Sequence, residues 1–594
     1  MSGSSTPSPS SSISSISSST SPRTPANLHQ NNIDPAAKWL VQKFGGTSVG
    51  KFATKIAEDI VSEYLDQHKV AIVCSARSGS TKTLGTTNLL LRAAKEALQH
   101  THSPSGTPGN VTPALHTSQQ SPVDSPRPPS GSSPRTEPFS PGGLMSMSTM
   151  SLPPPAFNST VDIIRSEHIN AARSSVRDPD LLKELEAEIE RDCDGLRSFL
   201  VATQVIDEIS PRSRDSIIGY GERLACKVMA ATLRDRGIDA EFVSLENVVP
   251  LSEDGETYSD TETLGQDFYD RVAEAVSERI KHCGPRVPVV TGSLLRQVGR
   301  GYTDLLAALL AAGLNASELQ IWKEVDGIFT ADPRKVPTAR LIPIISPEEA
   351  AELTYYGSEV VHPFTMEQVI RKKIPIRIKN VENPQGGGTV IHPDPDIDAI
   401  PYPDDDAGII IPTTNTFIPI SELARVSSES PERKLPTAVT IKEHIVVLNV
   451  NSNRKSVSHG FLAGVFGTLD RYGVVVDLIS TSEVYVSMAI EDHLDKKVLD
   501  RVVRELRKSG TVTVSRDMAI LSLVGKKMRN MVGIAGRMFT TLGHGNINIE
   551  MISQGANEIN ISCVIDARDA VKALNLIHQS CLQITPEGAR GRGG

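Results

Sequence analysis

Val41-Gln-Lys-Phe-Gly-Gly-Thr-Ser-Val-Gly50 carries an apolar strand into two glycines, with a lysine at the strand's end and two hydroxyl residues just beyond. A strand that runs through a glycine turn into a helix is the opening step of an α/β sheet, and the turn's N–H groups suit an anion. Gly45 and Gly46 are expected to take positive φ and let the backbone approach a phosphate. Lys43 would supply a point charge, and Thr47 and Ser48 hydroxyl donors. The same residues also fit a plain strand-to-helix turn with a surface lysine.

Outward from this stretch, short β-branched runs keep alternating with helical ones. A helix near 51–67 precedes a strand at 69–74. Further helices are expected near 161–174, 179–208, 215–236, 265–282 and 303–313, with strands at 240–244, 287–291, 319–323 and 375–378. This is the grammar of an α/β domain, a mostly parallel sheet flanked by helices, and such sheets bind ligands at the carboxyl ends of their strands. The domain is placed at 37–391. Ser, Thr and Pro dominate a tail at 1–36 and an insert at 100–160, neither of which can bury enough apolar surface to offset ordering entropy, so both are expected to be disordered. A linker rich in Pro and Asp fills 392–436. Beyond it, 463–469 and 476–480 can be laid on 535–542 and 549–553, a repeat of about 70 residues per unit. Two ferredoxin-like βαββαβ units are expected, at 437–514 and 515–590, either holding a ligand between them or serving only as a dimerisation module.

The net charge of −9 is modest for this length and the Lys and Arg residues are scattered, which argues against nucleic-acid binding. Six cysteines lie far apart without a C-x-x-C pair, against both a zinc site and a disulfide framework. The chain reads as a reduced, cytoplasmic protein. No apolar run reaches the roughly 20 residues of a membrane span, and the polar N-terminal stretch lacks the apolar core of a secretory signal.

Three more loops at strand ends or helix starts carry chemistry. Gly299-Arg-Gly-Tyr-Thr-Asp304 opens a helix whose N–H groups and dipole favour an anion. Arg300 can grip a carboxylate or phosphate there, while Thr303 or Asp304 also serves as a simple N-cap. Glu324-Val-Asp-Gly-Ile-Phe-Thr-Ala-Asp-Pro-Arg334 follows a strand; Phe329 can stack on a base, although an ordinary loop fits too. Gly219-Tyr-Gly-Glu222 has Glu222 as ligand or cap. No P-loop, dinucleotide, zinc-protease or nucleophile-elbow motif occurs.

Taken together, Lys43-Phe-Gly-Gly-Thr-Ser48, Cys74-Ser-Ala76 with Thr87-Asn88, Gly221-Glu222, Gly299-Arg-Gly301 with Asp304, the 325–334 loop, His362-Pro363 and the tail 374–380 resemble the aspartate kinases of the amino-acid kinase family. The tail, insert and Tyr302-Thr303 spelling resemble the fungal branch, and the repeats its ACT domains. The resemblance implies transfer of the γ-phosphoryl group of ATP, with Mg²⁺, to the side-chain carboxylate of L-aspartate, a first step toward threonine, methionine and homoserine. It implies Lys43 and Asp304 as catalytic and Ser75, Thr87, Glu222, Arg300 and Thr303 on aspartate. Around the nucleotide it implies Gly45, Gly46, Thr47, Ser48, Lys323, Asp326, Phe329, Asp332 and Arg334, with no metal ligands of the protein's own. Asp477, Thr481 and Ser482 match the place where the family grips an amino-acid effector, expected to be L-threonine, and ACT pairing implies a homo-oligomer. The sequence departs from the pattern twice: the 292–299 loop is short, and Glu359 replaces a lysine common in bacterial relatives. The short loop keeps open the alternative of a catalytically impaired amino-acid sensor; a kinase for another carboxylate is a second alternative, against which the paired ACT repeats speak.

Overall fold

The computed structural model describes residues 28–79, 84–99, 155–245, 248, 265–291, 303–358, 361–393, 408–411, 416–419, 435–453, 460–555 and 559–583. Arg300, the 292–299 loop, Glu359, residues 1–27 of the tail and 100–154 of the insert lie outside them; the rest of the tail, expected to be disordered, is held by the bridge of His29 to Ile238 and by buried Asn31, bonded to Val70. In the larger part, eight strands form one sheet: β1 (Trp39–Phe44), β2 (Lys69–Cys74), β3 (Ala240–Val243), β4 (Val287–Thr291), β5 (Glu318–Lys323), β6 (Ile344–Ile345), β7 (Ile376–Asn380) and β8 (Thr389–Ile391). Their order is β3-β4-β2-β1-β5-β7-β8-β6, parallel throughout except between β7 and β8. The chain winds from β1 to one side through β2, β3 and β4, then returns to the other side with β5. Winding therefore reverses at β1, and ligands of such sheets settle beyond the carboxyl ends at that point.

The helices are α1 (Gly46–Lys55), α2 (Ser62–Tyr64), α3 (Thr86–Ala97), α4 (Phe157–Ser175), α5 (Pro179–Ile206), α6 (Pro211–Asp235), α7 (Gln266–Lys281), α8 (Thr303–Leu314), α9 (Pro347–Tyr355) and α10 (Pro363–Ile370); α3, α4 and α5 pack on the outer side of α6 in a helical core of their own, and the others flank the sheet. Alternation along the strands assigns the faces. Leu40, Phe44 and Trp322 pack with α1 and α6, while Val41 packs with α7 and α8, so Lys43 shares the α8 side. Helix α8 is buried from Leu305 to Ala311, which fits its unbroken apolar sequence. Proline at the first helical position after Asp178, Ser210 or Ser346 sets the starts of α5, α6 and α9, each with a side-chain cap. The helix expected at 51–67 instead begins at Gly46, leaves helical geometry at Phe52 (φ −124°, ψ 23°) and continues as a π-helix over Ile56–Val61. Within the expected linker, β9 (Gly408–Ile411) pairs antiparallel with β10 (Thr416–Pro419).

The C-terminal sheet contains β11 (Ala438–Ser452), β12 (Leu478–Thr481), β13 (Tyr485–Glu491), β14 (Gly510–Val524), β15 (Met551–Gln554) and β16 (Asn560–Asp566), in the order β12-β13-β11-β14-β16-β15. Its helices are α11 (Phe461–Arg471), α12 (Lys496–Leu506), α13 (Ile534–His544) and α14 (Ala570–Cys581). Both ferredoxin-like units are present, but they do not divide at 514/515 as the repeat suggested. Strands β11 and β14 run through both units: the register breaks near Lys442 and Ile445, and His444 and Asp517 take positive φ. Residues 447–452 pair with 510–515 in the first unit. Residues 438–442 pair with 520–524 in the second, and Val439 and Ile441 belong to that unit's core. The first unit is thus inserted into the second, whose last strand comes from the residues preceding the first.

Candidate active site

Lys43 sits near the carboxyl end of β1 with 8 % of its surface exposed, and its Nζ lies 2.7 Å from Asp304 Oδ1 in the first turn of α8. Burial of a lysine at a sheet edge calls for such a partner, and the ion pair also fixes where the ammonium points. Beyond Lys43, the first turn of α1 presents its N–H groups to the crevice, the ordinary arrangement for binding an anion. The glycines play a different part from the one expected. Gly45 has φ −70° and neither it nor Gly46 has positive φ. What requires glycine is contact: a Cβ on Gly46 would lie 2.3 Å from the carbonyl oxygen of Ala76. Ser48, fully buried, donates to Glu324 Oε1 at 2.8 Å and so joins α1 to the loop after β5.

Ser75 follows β2, its backbone N–H bonded to Phe44 O at 3.1 Å, and Thr87 stands in the first turn of α3. Gly221 lets α6 close on that region, since a Cβ there would meet Leu90, Thr86 and Ala76. This brings Glu222 to Thr303, whose Oγ1 donates to Glu222 Oε1 at 3.0 Å. Glu222 and Thr303 thus meet next to Asp304, while Ser75 and Thr87 stand at the end of β2 and the start of α3, the region that Gly221 lets α6 approach. One turn beyond Glu222, burial and the adjacent Cys74 thiol push Cys226 well above its usual pKa, leaving it protonated and inert.

Among the nucleotide candidates, Lys323 ends β5, and Asp326 accepts from Asn380 Nδ2 at 3.0 Å and Asn383 Nδ2 at 3.4 Å. Gly327 has φ +147° and presses on Thr389, a turn that does demand glycine. Phe329 is half-buried and its backbone bridges Leu341. Asp332 and Arg334 turn to one another instead, with Nε–Oδ1 at 3.0 Å and the arginine side chain 89 % exposed. Burial raises the Asp332 carboxyl, but bonds from Arg334 outweigh it and hold it below its usual range. Their neighbours Ala331 and Val336 belong to the core of the second C-terminal unit.

A model of the amino acid kinase family matches residues 38–380, and an ACT domain model matches 521–581. Aspartokinase of Schizosaccharomyces pombe is 48 % identical over 93 % of this chain and 94 % of its own length; that of Saccharomyces cerevisiae is 42 % identical over 94 % of each. The chain belongs to the aspartokinase family. Among solved structures, E. coli aspartokinase III in complex with aspartate and ADP superposes with a TM-score of 0.61 at 24 % identity, covering 91 % of this chain and 99 % of that one, a likeness of fold. Phosphorylation of aspartate is accordingly the reaction of this aspartokinase, an enzyme of the phosphotransferase class.

In the aspartokinase's first ACT unit, Asp477 is already engaged: Lys442 Nζ lies 2.8 Å from its Oδ1. Its Oδ2 is buried without a hydrogen-bond partner among the described residues. Thr481 and Ser482 are exposed, and Ser482 N–H closes the turn onto Tyr485 O. Glu324 as the partner of Ser48 was not singled out from the sequence, and Asn380 and Asn383, which hold Asp326, belonged to a matching segment to which no role was given. Glu324 lay within the quoted loop, yet a carboxylate there looks like any solvated loop charge until Ser48 is seen beneath it.

Proposed function

We propose that this aspartokinase transfers the γ-phosphoryl group of ATP to the side-chain carboxylate of L-aspartate, giving 4-phospho-L-aspartate. The observation that carries this reading is the Lys43–Asp304 pair at 2.7 Å, set beside the open N-terminus of α1 at the sheet's reversal point. A carboxylate with a pKa near 4 is ionised at neutral pH, so the nucleophile needs no general base. The barrier is electrostatic, an anion approaching a polyanion, and it falls through positioning and charge neutralisation. Lys43 bridges the transferring phosphoryl oxygens, and Asp304 keeps its ammonium in place. Gly45, Gly46, Thr47 and Ser48 hold phosphate through backbone N–H groups, and Lys323, Asp326 and Phe329 border the nucleotide. Mg²⁺ arrives with ATP as part of the substrate. Ser75, Thr87, Glu222, Thr303 and Arg300 bind aspartate, Glu222 facing its α-ammonium group. Asp332 and Arg334, bonded to each other beside the ACT unit, would reach nucleotide only after parting.

Hydroxylamine trapping tests the reaction. Aspartyl hydroxamate should form with ATP and aspartate and vanish in Lys43→Ala; none from the folded, ATP-binding wild type would favour a sensor. Regulation is proposed at Asp477, Thr481 and Ser482, with L-threonine as effector, in a cytoplasmic homo-oligomer joined through the ACT domains. No described helix is long and apolar enough to cross a membrane. An incoming ammonium must share the Asp477 carboxylate with Lys442. Calorimetry on the full chain with threonine and with lysine checks this, and binding of neither ends the regulatory proposal.

A further inference from the structure

The loop that follows β2 is mated to α1 along two glycines one helical turn apart. A Cβ on Gly46 would strike Ala76 O at 2.3 Å, and one on Gly50 would strike Ser78 O at 2.8 Å. Ser78 N–H donates to Gly46 O at 2.9 Å. Between these contacts Arg77 sends its guanidinium two ways: Nη2 donates to Gly50 O at 3.2 Å, and Nη1 to Glu167 O in α4 at 3.3 Å. Both acceptors are main-chain carbonyls. The first lies just before Phe52, where α1 departs from helical geometry and the regular carbonyl bonding of the helix is disturbed. The carbonyl of Arg77 in turn accepts Thr86 N–H at 3.1 Å, at the start of α3. One residue thus joins α1, the β2 loop, α3 and α4.

We propose that Arg77 is a positioning residue for phosphoryl transfer. It holds the loop that carries Ser75, and the start of α3 that carries Thr87, in register with the α1 turn beside Lys43. Acceptor and donor sites are built on separate elements, and their separation decides whether the carboxylate reaches the phosphorus in line. Misplacement by about 1 Å costs on the order of 100-fold in rate even when each ligand still binds. A residue that sets separation alone should therefore act on kcat and leave the individual affinities nearly intact. The inference rests on the assignment of Ser75 and Thr87 to aspartate and Lys43 to phosphate.

The test is steady-state kinetics on Arg77→Gln, with calorimetric binding of aspartate alone and of a non-hydrolysable ATP analogue alone. We expect kcat to fall about 100-fold with both dissociation constants within about threefold of wild type. Arg77→Lys, which keeps the charge but reaches one carbonyl at a time, should recover only part of kcat. Gly50→Ala, which keeps the Arg77 side chain but pushes Ser78, and Arg77 with it, away from α1, should reproduce the same split and carries the test if Arg77→Gln fails to fold; a folded Gly50→Ala with wild-type kcat counts against the proposal. A folded Arg77→Gln with near wild-type kcat, a loss confined to aspartate affinity, or full recovery in Arg77→Lys overturns the proposal. Lys43→Ala run alongside separates the two readings. If it retains hydroxamate formation, the site assignment is wrong; if it is inactive while Arg77→Gln is unaffected, only the role of Arg77 is wrong.

Discussion

Two buried lysines show how much a partner matters. Lys43 faces Asp304, whereas Lys379, 1 % exposed on β7, has no carboxylate in ion-pair range among the described residues and instead meets the Tyr64 hydroxyl at 3.3 Å, the Trp322 ring at 5.0 Å and the Tyr64 ring at 6.0 Å from its Nζ. Burial, then the charge of Arg377, lowers Lys379 to about 8 from the ordinary 10.5. Because folding favours the neutral amine, its contribution is fully favourable above about 10.5 and is lost as pH falls toward 8. Lys379→Met should therefore raise the melting temperature at pH 7, by up to about 3 kcal/mol of stability less the lost Tyr64 bond, with the gain fading toward pH 10. Thermal melts of both proteins across that range check it, and a destabilised variant at pH 7 would refute it. His168 gives the acid limb. Burial pushes it down to about 4 despite its bond to Ile164 O, with Arg77 acting in the same direction as burial. It is neutral in both states above 6.5, and below that the unfolded chain gains the proton first. Stability is therefore lost between pH 6.5 and about 4. His168→Gln should flatten that part of the curve in chemical denaturation. Lys43 was legible because it stands beside glycines at a strand end; nothing in one sequence marks Lys379 as buried or Arg77 as a junction, since both are decided by elements distant in the chain.

Elements were legible where a pattern repeats and obscure where the chain breaks one. The central strands and α4 to α8 follow from apolar periodicity and proline-preceded caps. Helices α9 and α10 are short, β6 and β8 shorter still, and too few residues set a period. The strands shared by the ACT units were hidden for another reason. The repeat shows which segments resemble one another, but the bend at His444 and Asp517 places non-glycine residues at φ 59° and 55°, which no turn motif announces. Helix α9 illustrates what such an element does. Glu349 completes its capping box with Ser346 through Oε2, while Oε1 accepts Thr437 Oγ1 at 2.6 Å and Lys526 N–H at 2.7 Å. One carboxylate starts a kinase helix and fastens the ACT module to it. Glu349→Ala leaves a buried cap and two donors without acceptors, so a loss of about 2–4 kcal/mol is expected, and Glu349→Gln about half of that. Urea denaturation measures both, and equal stability of Glu349→Ala and wild type would sink the assignment.

Besides the α9 contact, kinase and ACT units meet along the segment leaving β5. Its first part holds Asp326 against Asn380, and its second part enters the ACT core with Ala331 and Val336. Between them Thr330 is bonded four times: its N–H to Arg340 O, its carbonyl to Val439 N–H, and its Oγ1 both to His578 Nε2 at 2.9 Å and, as acceptor, to Arg340 N–H at 2.9 Å. Burial, and then the charge of Arg340, lowers His578, so a neutral ring is the favoured state at this junction. A rearrangement of the ACT module therefore cannot leave the candidate nucleotide loop untouched, and linkage requires the reverse as well. Coupling of this kind is usually 1–3 kcal/mol, and one buried hydrogen bond is about 1 kcal/mol of it. Thr330→Val keeps the shape and removes both side-chain bonds, the one with His578 and the one accepted from Arg340 N–H. The expected outcome is kcat near wild type without effector and a several-fold rise in the threonine concentration that halves activity. If basal kcat falls and threonine sensitivity is unchanged, Thr330 serves the nucleotide loop alone, and the signal must cross by the α9 contact around Glu349 instead.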